Sequence, residues 1–378
     1  MIPITDILSQ GENSAVEFKS AGTNAEMMAR EMISFANTNG GVILVGVEDD
    51  GTVSGIDTGK QNEAWVSNIA RDAVVPPLNV DAQILDHQGT NLLYVNVPKG
   101  KHKPYHSNSG KFYIRVGSTN RAPSQAELMR LFQQSGSFHF DQTGVEKTTV
   151  NDLNLYKIDS YFEQYGLKFN EEDDKERLLR NVDVLTDEGS VTVGGLLVFG
   201  INPQRHLLNA SISFAHYKGN EISDQLMNHQ VISGTLDNQI DTCVALIKNS
   251  LTSGSTIEGT KTVPTQPAYQ ERVFREIIVN ACIHRNYSIS GSRIRVFLFD
   301  DRLEVHSPGR LPNTITIEKL SAGVSFAVNP IILKFMENLR YVDKLGRGLP
   351  LVWNEARKLG KQVSFSEVGE EFVVSLGI

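Results

Sequence analysis

A short stretch near the N-terminus constrains the fold most, because it predicts a helix, a tight stop and a buried strand in immediate succession. Thr23 can cap the helix, and Glu26 can complete a capping box. Asn39-Gly40-Gly41 supplies a left-handed stop, and the apolar run Val42–Val47 that follows is short enough for a buried strand. Asp49-Asp50-Gly51 then turns the chain. The stretch therefore predicts a mixed helix-and-strand module.

The chain of 378 residues is longer than one hydrophobic core usually supports, which is about 250 residues. Polar stretches at Ser135-Gly136-Ser137 and Thr252-Ser253-Gly254-Ser255 are the best boundaries. Helical and strand patterns both recur along the chain, including a strand predicted at Val191–Phe199, so the expected fold class is α+β. We predict three parts, namely residues 1–135, 136–255 and 256–378.

Composition excludes several classes of protein. No segment is long and apolar enough to cross a bilayer, and the N-terminus lacks the pattern of a secretory signal, so a cytoplasmic location without membrane contact is expected. The two cysteines, Cys243 and Cys282, exclude a disulfide framework and a Cys-rich zinc site. With a net charge of -8, any nucleic-acid site must be a local patch.

Three carboxylates near the N-terminus form one candidate site. Glu12 and Glu17 lie in a stretch that looks extended, and Asp49 closes the buried strand. Together they could hold Mg2+ or Mn2+, ions that activate water for phosphodiester cleavage. The alternative is structural: Glu12 is a loop carboxylate, Glu17 belongs to an edge strand, and Asp49 is part of a turn.

A basic segment from Lys99 to Arg121 forms a second candidate site, because it interleaves cations with aromatic residues and contains no acidic residue. Cations attract phosphates, and aromatic rings can stack on unpaired bases. The alternative is a solvated hairpin. The residues assigned to nucleic-acid binding are Lys19, Lys101, Lys103, Lys111, Tyr113, Arg115 and Arg121.

Ordered motifs in this half of the chain resemble the Schlafen-type AlbA domain over roughly residues 10 to 135. The motifs are Glu12 with Val16-Glu17-Phe18-Lys19, the run Ser34–Gly41 leading into Val45-Gly46-Val47, and Tyr113–Ser118. The resemblance implies binding of DNA or RNA. It also implies that Glu12 and Glu17 match the two glutamates of RNA-cutting Schlafens, with Asp49 or Asp50 as the aspartate.

The C-terminal part contains a helix, predicted over Tyr269–Asn286, with two opposed polar stripes. Glu276, Asn280 and His284 share one of them. Asn280 could bind Mg2+ through its amide oxygen, and Glu276 could orient a water molecule. The alternative is an interior cluster in which Glu276 pairs with His284 or an arginine.

Motifs around this helix resemble the ATPase fold of gyrase, MutL and histidine kinases, in the divergent form labelled a helicase-like C-terminal domain. The motifs are Glu276–His284, the strand Leu303–His306 leading into Ser307–Leu311, and Leu345–Leu349. The resemblance implies an α/β sandwich that binds ATP with Mg2+. The residues that it assigns to nucleotide binding are Glu276, Asn280, His284, Gly309, Gly346 and Gly348, with Asn280 as the metal ligand.

The sequence departs from that family where an adenine-reading aspartate is expected. His306-Ser307-Pro308 stands there, and none of these residues is a carboxylate. The chain also has no G-x-x-x-x-G-K-[ST] loop, so a helicase motor of the P-loop kind is not expected. ATP binding is therefore a stronger expectation than ATP hydrolysis.

Two functions follow from these patterns. The first is a nucleic-acid-binding regulator, for example of transcription, whose C-terminal domain senses a nucleotide. The second is a metal-dependent endoribonuclease acting on transfer RNA as a toxin or defence factor, with Glu12, Glu17 and Asp49 as ligands. The family resemblance also implies a homo-oligomer.

Overall fold

A computed structural model of the chain describes residues 4–252, 255–258, 261–264, 268–312, 315, 317–321, 326–342 and 348–378. Contacts between Cα atoms divide the chain into two compact units, Met1–Phe138 and His139–Ile378, which we call unit 1 and unit 2. Both units contain helices and mixed sheets, so the predicted α+β class is confirmed.

Unit 1 is built around one four-stranded sheet. Its described helices are α1 (Ile4–Gln10), α2 (Ala25–Asn37), α3 (Glu63–Asp72) and α4 (Gln125–Gln134). Its described strands are β1 (Val16–Lys19), β2 (Gly41–Val45), β3 (Val74–Val75), β4 (Asp81–His87), β5 (Thr90–Val97), β6 (His106–Ser107), β7 (Ile114–Val116) and β8 (Thr119–Arg121). The sheet has the order β1-β2-β5-β4, with β1 parallel to β2 and the other pairs antiparallel.

Strand β2 lies inside this sheet and is apolar because both of its faces are covered. Ile43 and Val45 pack in the larger core with α2 and α3, whereas Leu44 packs in a smaller core with Ile7 of α1 and Phe18 of β1. These side chains are buried completely or almost completely. The prediction of a buried strand at this position is confirmed.

Helix α2 begins one residue later than the sequence predicts. The cap is Asn24, whose side chain accepts a hydrogen bond from the backbone N–H of Met27. Thr23 is buried, and its hydroxyl has no hydrogen-bond partner among the described atoms. Both threonine and asparagine can cap a helix, and the backbone conformation places Asn24 rather than Thr23 at the capping position. By contrast, the S-x-x-E spacing of Ser124 and Glu127 predicts a capping box on α4, and the structure contains it.

The motif at the end of α2 is explained by packing. The Asn37 amide nitrogen donates to the carbonyls of Tyr105 and Tyr113, and its amide oxygen accepts from the backbone N–H of Tyr105. A Cβ atom at Gly40 would lie 2.7 Å from the carbonyl oxygen of Val97. One at Gly41 would lie 2.3 Å from the Phe35 ring. This motif therefore ties the basic segment to α2.

Unit 2 is built around a six-stranded sheet in the order β10-β9-β13-β14-β16-β15. Its described helices are α5 (Leu155–Glu163), α6 (Lys175–Asn181), α7 (Val193–Phe199), α8 (Leu236–Thr252), α9 (Glu271–His284), α10 (Ile317–Ser321), α11 (Pro330–Asn338) and α12 (Gly348–Lys358). Its described strands are β9 (Ile212–Tyr217), β10 (Leu226–Ile232), β11 (Ser255–Glu258), β12 (Lys261–Pro264), β13 (Ile294–Leu298), β14 (Arg302–Pro308), β15 (Val363–Val368) and β16 (Glu371–Gly377).

Helices α8, α9 and α12 pack together beside this sheet, and α9 contacts β14 in its centre. The core between helix and sheet contains Ile277 and Ile278 of α9, Val296 of β13 and Val305 of β14. Strand β9 pairs with β13, so the sheet joins strands from both sides of residue 255. The division into parts at that residue stays a prediction.

The strand predicted at Val191–Phe199 is wrong, because residues Val193–Phe199 form α7. Thr192 caps this helix by accepting a hydrogen bond from the backbone N–H of Gly195. Every residue of α7 is buried. A short helix that is apolar on all sides shows no helical periodicity, so its pattern resembles that of a buried strand.

A buried carboxylate fixes the start of α11. One oxygen of Asp141 accepts hydrogen bonds from the backbone N–H groups of Ile331 and Ile332 at 2.7 and 3.0 Å, and the other has no hydrogen-bond partner among the described atoms. Burial raises the pKa of Asp141 to about 6, although these two hydrogen bonds act in the opposite direction.

This carboxylate predicts a pH dependence of stability. The pKa of Asp141 is higher in the folded protein than its usual value of 3.8. The stability that the protonated carboxyl group provides is therefore complete below pH ~4 and is lost as the pH rises through about 6. The loss is about 3 kcal/mol. We expect Asp141→Asn, measured by urea unfolding at several pH values, to gain about that much relative to the native chain between pH 4 and pH 8. Parallel curves for the two proteins would contradict this assignment.

Candidate functional sites

The carboxylate that the sequence places at a metal site belongs to a buried ion cluster in unit 1. The Glu17 carboxylate pairs with Lys19 and with Arg115, and Glu31 of α2 lies 3.4 Å from the Lys19 ammonium and 3.6 Å from the Arg115 guanidinium. The Asn120 amide donates to Glu31. Two acidic and two basic groups therefore neutralise one another in the interior.

Arg115 lies at the centre of this cluster, and its side chain is only 1% exposed. Besides the carboxylates, its guanidinium donates to the carbonyls of Asn13 and Val16, and it stacks on the Phe35 ring at 4.8 Å. Arginine suits this position because its planar group donates several hydrogen bonds at once. It thereby connects β7, the approach to β1 and helix α2.

The charged groups of this cluster shift one another's pKa values. Burial raises the pKa of Glu31, and the nearby charge of Glu17 raises it further. For Lys19, burial lowers the pKa, but the hydrogen bonds and charges of Glu17 and Glu31 outweigh it, so that the pKa is raised. Lys19 therefore stays charged at neutral pH and balances the carboxylates.

The predicted metal site is not formed by these side chains. Glu12 accepts a hydrogen bond from the backbone N–H of Phe18 at 2.9 Å, Glu17 is neutralised by two cations, and Asp49 is exposed in the turn after β2. Among the residues that the structure describes, no group of three or more His, Cys, Asp and Glu side chains is arranged to hold a metal ion. The arrangement of Glu12, Glu17 and Asp49 thus matches the structural alternative.

Most of the residues predicted to bind nucleic acid are already engaged within unit 1. Lys103 is buried, and its ammonium donates to the Thr38 carbonyl at 2.7 Å. Arg121 is exposed but pairs with Glu127 at 2.7 Å, which lowers the pKa of that glutamate to about 2. Lys19 and Arg115 belong to the buried ion cluster.

The surface of the basic segment contains a smaller set of groups. Lys101 and Lys111 are exposed, and Tyr113 is half-buried. The exposed guanidinium of Arg30 lies over the Tyr113 ring at 5.2 Å. Arg30 was not predicted from the sequence because it lies on α2, far from the basic segment in the chain. The hydrogen bonds of Asn37 bring the basic segment next to this helix.

Unit 2 contains a cavity of about 160 Å3 between α9 and the sheet. Five of the six residues predicted to bind nucleotide line it, namely Glu276, Asn280, His284, Gly309 and Gly348. The sixth, Gly346, lies outside the described residues. The rest of the lining is mostly apolar, with side chains such as Ile277, Val305 and Leu333. The prediction that one stripe of α9 faces a pocket therefore agrees with the geometry, while nucleotide binding stays a prediction.

The polar end of the cavity is defined by Glu276 and Asn280. The Asn280 amide nitrogen donates to the Glu276 carbonyl at 2.6 Å, which leaves the amide oxygen as the atom that can meet a ligand or a metal ion. Gly348 begins α12, and a Cβ atom there would lie 2.4 Å from a carboxylate oxygen of Glu276. Glycine thus lets α12 approach without displacing that carboxylate.

Two other residues predicted to bind nucleotide, His284 and Gly309, form part of the cavity wall. Burial lowers the pKa of His284 to about 4, so its ring is neutral at pH 7. Gly309 has a positive φ of 122°, and a Cβ atom there would lie 2.9 Å from the Cβ of Asn286. The Ser307 hydroxyl donates to the Ala281 carbonyl.

Two charged residues of the lining were not predicted. Arg310 follows the strand β14, and Glu337 lies near the end of α11. Arg310 also donates to the Gly369 carbonyl at 2.8 Å. Nothing in the spacing of the sequence indicates that α11 faces α9, so Glu337 could be found only from the fold.

Comparison with known proteins agrees with this two-part organisation. Residues 12–124 match the family model described as "Schlafen, AlbA_2", and residues 291–376 match the one described as "Putative ATP-dependent DNA helicase recG C-terminal". The chain therefore combines an N-terminal Schlafen AlbA_2 domain with a C-terminal ATPase-like domain of the RecG C-terminal class. The architecture inferred from the motifs is confirmed, and both domains are of nucleic-acid-related kinds.

Two examples represent the solved structures that resemble the chain. The crystal structure of the DIP2311 protein from Corynebacterium diphtheriae aligns with 99% of this chain and 79% of its own, at 23% identity and a TM-score of 0.49. The solution structure of the N-terminal domain of a RecG-related protein from Nitrosomonas europaea aligns with 33% of this chain and 95% of its own, at 26% identity and a TM-score of 0.25. No match was found among curated proteins. No helix in the described ranges is long and apolar enough to cross a membrane.

The buried ion cluster makes a prediction about stability. Glu17→Gln keeps the size of the side chain but leaves Arg115 and Lys19 with Glu31 as their one acidic partner in the cluster. We expect a loss of about 3 kcal/mol in the free energy of unfolding, because a buried charge becomes poorly compensated. Glu176→Gln is the matched control, since its pair with Arg180 is at the surface and is worth less than about 1 kcal/mol. Equal losses in urea unfolding would contradict the structural reading of Glu17.

Proposed function

We propose that this protein binds DNA or RNA through unit 1 and a nucleotide, ATP with Mg2+, through the cavity of unit 2, and that the bound nucleotide regulates its action on nucleic acid. The observation that carries the proposal is the cavity itself. It gathers Glu276, Asn280, His284, Gly309 and Gly348, which three separate sequence motifs supply.

The chemistry of the cavity fits a nucleotide in two respects. An apolar wall suits the face of a purine base, and a carboxylate beside an amide oxygen offers the hard ligands that Mg2+ prefers. Asn280 would hold that ion through its amide oxygen, and the ion would shield the phosphate charges from the Glu276 carboxylate. The start of α12 at Gly348 lies next to these two side chains.

Recognition of the base would differ from that in related ATPases. Ser307 stands in the region where an adenine-reading aspartate is expected, and its hydroxyl already donates to a backbone carbonyl. His306 pairs with Glu304 at 3.1 Å. With no carboxylate at these positions, the base would be held mainly by shape and apolar contact. This favours ATP binding over rapid ATP hydrolysis.

Binding of ATP can be tested by titration calorimetry on the full chain. We expect Asn280→Ala to weaken binding of MgATP by about tenfold or more, equivalent to ~1.4 kcal/mol, and to have little effect when EDTA removes the metal ion. The matched control is Glu271→Gln, on the same helix but at the surface, where it pairs with Lys248. An unchanged affinity in Asn280→Ala would remove Asn280 from the site. A native chain that binds no ATP would overturn the proposal for unit 2.

The nucleic-acid surface of unit 1 is proposed to consist of Arg30, Lys101, Lys111 and Tyr113. What supports it is that Lys101 and Lys111 are exposed, whereas the neighbouring Lys103 is used within the fold. In a chain of net charge -8, these few groups would bind phosphates as a local patch. The arginine-stacked ring of Tyr113 could contribute contacts to an unpaired base.

This surface predicts a change in the salt dependence of binding. We expect the double variant Lys101→Gln/Lys111→Gln to bind labelled tRNA and single-stranded DNA more weakly, and to lower the slope of log K against log salt by roughly 0.7 per lost contact on a single strand. Lys358→Gln, an exposed lysine of unit 2, is the control. Equal slopes for all three proteins would contradict the proposal that this surface binds nucleic acid. Running the assay with Mn2+ also reports cleavage, which the endoribonuclease alternative requires.

A further inference from the structure

Strand β10 (Leu226–Ile232) is an unusually exposed edge of the unit 2 sheet. It pairs with β9 on one side, and no strand that the structure describes pairs with its other side. Five of its seven residues are exposed, including Met227 at 64% and Val231 at 43%. A free strand edge presents backbone N–H and carbonyl groups to any other strand of suitable shape.

The usual protections of such an edge are scarce here. From Gln225 to Leu236 the sequence contains no lysine, arginine, aspartate, glutamate or proline. This uncharged run lies in an acidic chain, between Asp224 and Asp237. A second copy of the same chain could therefore approach this edge without placing like charges opposite one another, although the rest of its surface would repel it.

We propose that β10 pairs antiparallel with β10 of a second copy of this chain, about a twofold axis at His229. In this register the exposed Met227 lies opposite the exposed Val231 of the partner subunit, and the twofold axis makes this pair occur twice. The strand is thus complementary to itself in apolar pairs. The two six-stranded sheets become one continuous sheet across the axis. This inference does not depend on the proposed function.

Exposed apolar residues around β10 extend the contact. Ile222 precedes the strand and is 67% exposed, and Leu208 is 76% exposed. The loop that carries Leu208 is held at the far end of β10, because the Gln204 side chain exchanges two hydrogen bonds with the backbone of Gly234. An edge contact between two strands is small by itself, and such flanking residues add the area that a stable dimer needs.

A bulge at Met227 shapes the contact. The pairing of β10 with β9 shifts register between Leu226 and Asn228, so Met227 is an extra residue on the edge strand. Bulges increase local twist and can turn an edge away from a partner. Here the bulge lies at one end of β10, which leaves Asn228–Ile232 in regular pairing with β9.

Sedimentation of the full chain tests the pairing. We expect the native protein to be a dimer and Val231→Lys to raise the dissociation constant at least about tenfold, because a lysine would face Met227 of the partner subunit. The matched control is Val368→Lys, since Val368 is 60% exposed on β15 at the opposite edge of the sheet. We expect it to sediment like the native chain. A monomeric native protein, an unaffected Val231→Lys dimer or dissociation by Val368→Lys would each overturn the proposal.

Cross-linking tests the register without relying on a charged substitution. A twofold axis at His229 places its two copies directly opposite each other, with Cβ atoms about 4.5–5.5 Å apart. A small shift of the strands brings them into the disulfide range of about 3.5–4.5 Å, so we expect His229→Cys to form a disulfide-linked dimer under mild oxidation. Gln230→Cys is the register control, because residue 230 would face Asn228 of the partner subunit. Cys243 and Cys282 are buried and do not compete. Absence of the His229→Cys cross-link, or equal cross-linking of both variants, would overturn this register.

Discussion

Unit 1 depends on the contact between Arg115 and Glu17, because it is the point at which segments distant in the sequence are joined. The two residues are 98 positions apart, and both are buried. Glu31 and Lys19 complete the cluster, so that the interior charge is balanced. Removing any one member leaves its partners desolvated and poorly compensated, which costs more than the pair itself contributes. The hairpin β7–β8 and the basic segment before it are therefore held against α2 by ion pairs as well as by apolar packing.

Unit 2 depends on a different arrangement, in which polar groups lie beside an apolar cavity. Glu276 and Asn280 point into it from one stripe of α9, while the opposite stripe pairs with other helices, for example through Arg275 and Asp241. Gly348 admits the start of α12 next to the Glu276 carboxylate. A carboxylate in such a place needs water, a cation or a donor to compensate it. The Arg272 guanidinium, one helical turn earlier on α9, lies 4.0 Å from the Glu276 carboxylate and provides part of this compensation.

Local signals in the sequence predicted local structure well. The capping box of Ser124 and the stripe of Glu276, Asn280 and His284 depend on residues within a few positions of one another, and both are present in the structure. The failures were of another kind. A fully buried helix such as Val193–Phe199 has no periodicity to reveal it, and the burial of Arg115 is decided by carboxylates that only the fold brings near. Charge in a sequence identifies a cation, but not its partner.

This distinction affects what the family resemblance can mean for ligand binding. Asn37, Gly40 and Gly41 belong to its motifs, and each is explained by contacts within unit 1. Glu17 and Arg115 are motif residues as well, and they neutralise each other inside. The motifs therefore report the fold directly and the ligand only indirectly. Two chains can share all of them and still differ in what they bind. The surface groups that would meet a nucleic acid, such as Lys101 and Lys111, lie outside the motifs and are exposed, so they can vary without cost to the interior.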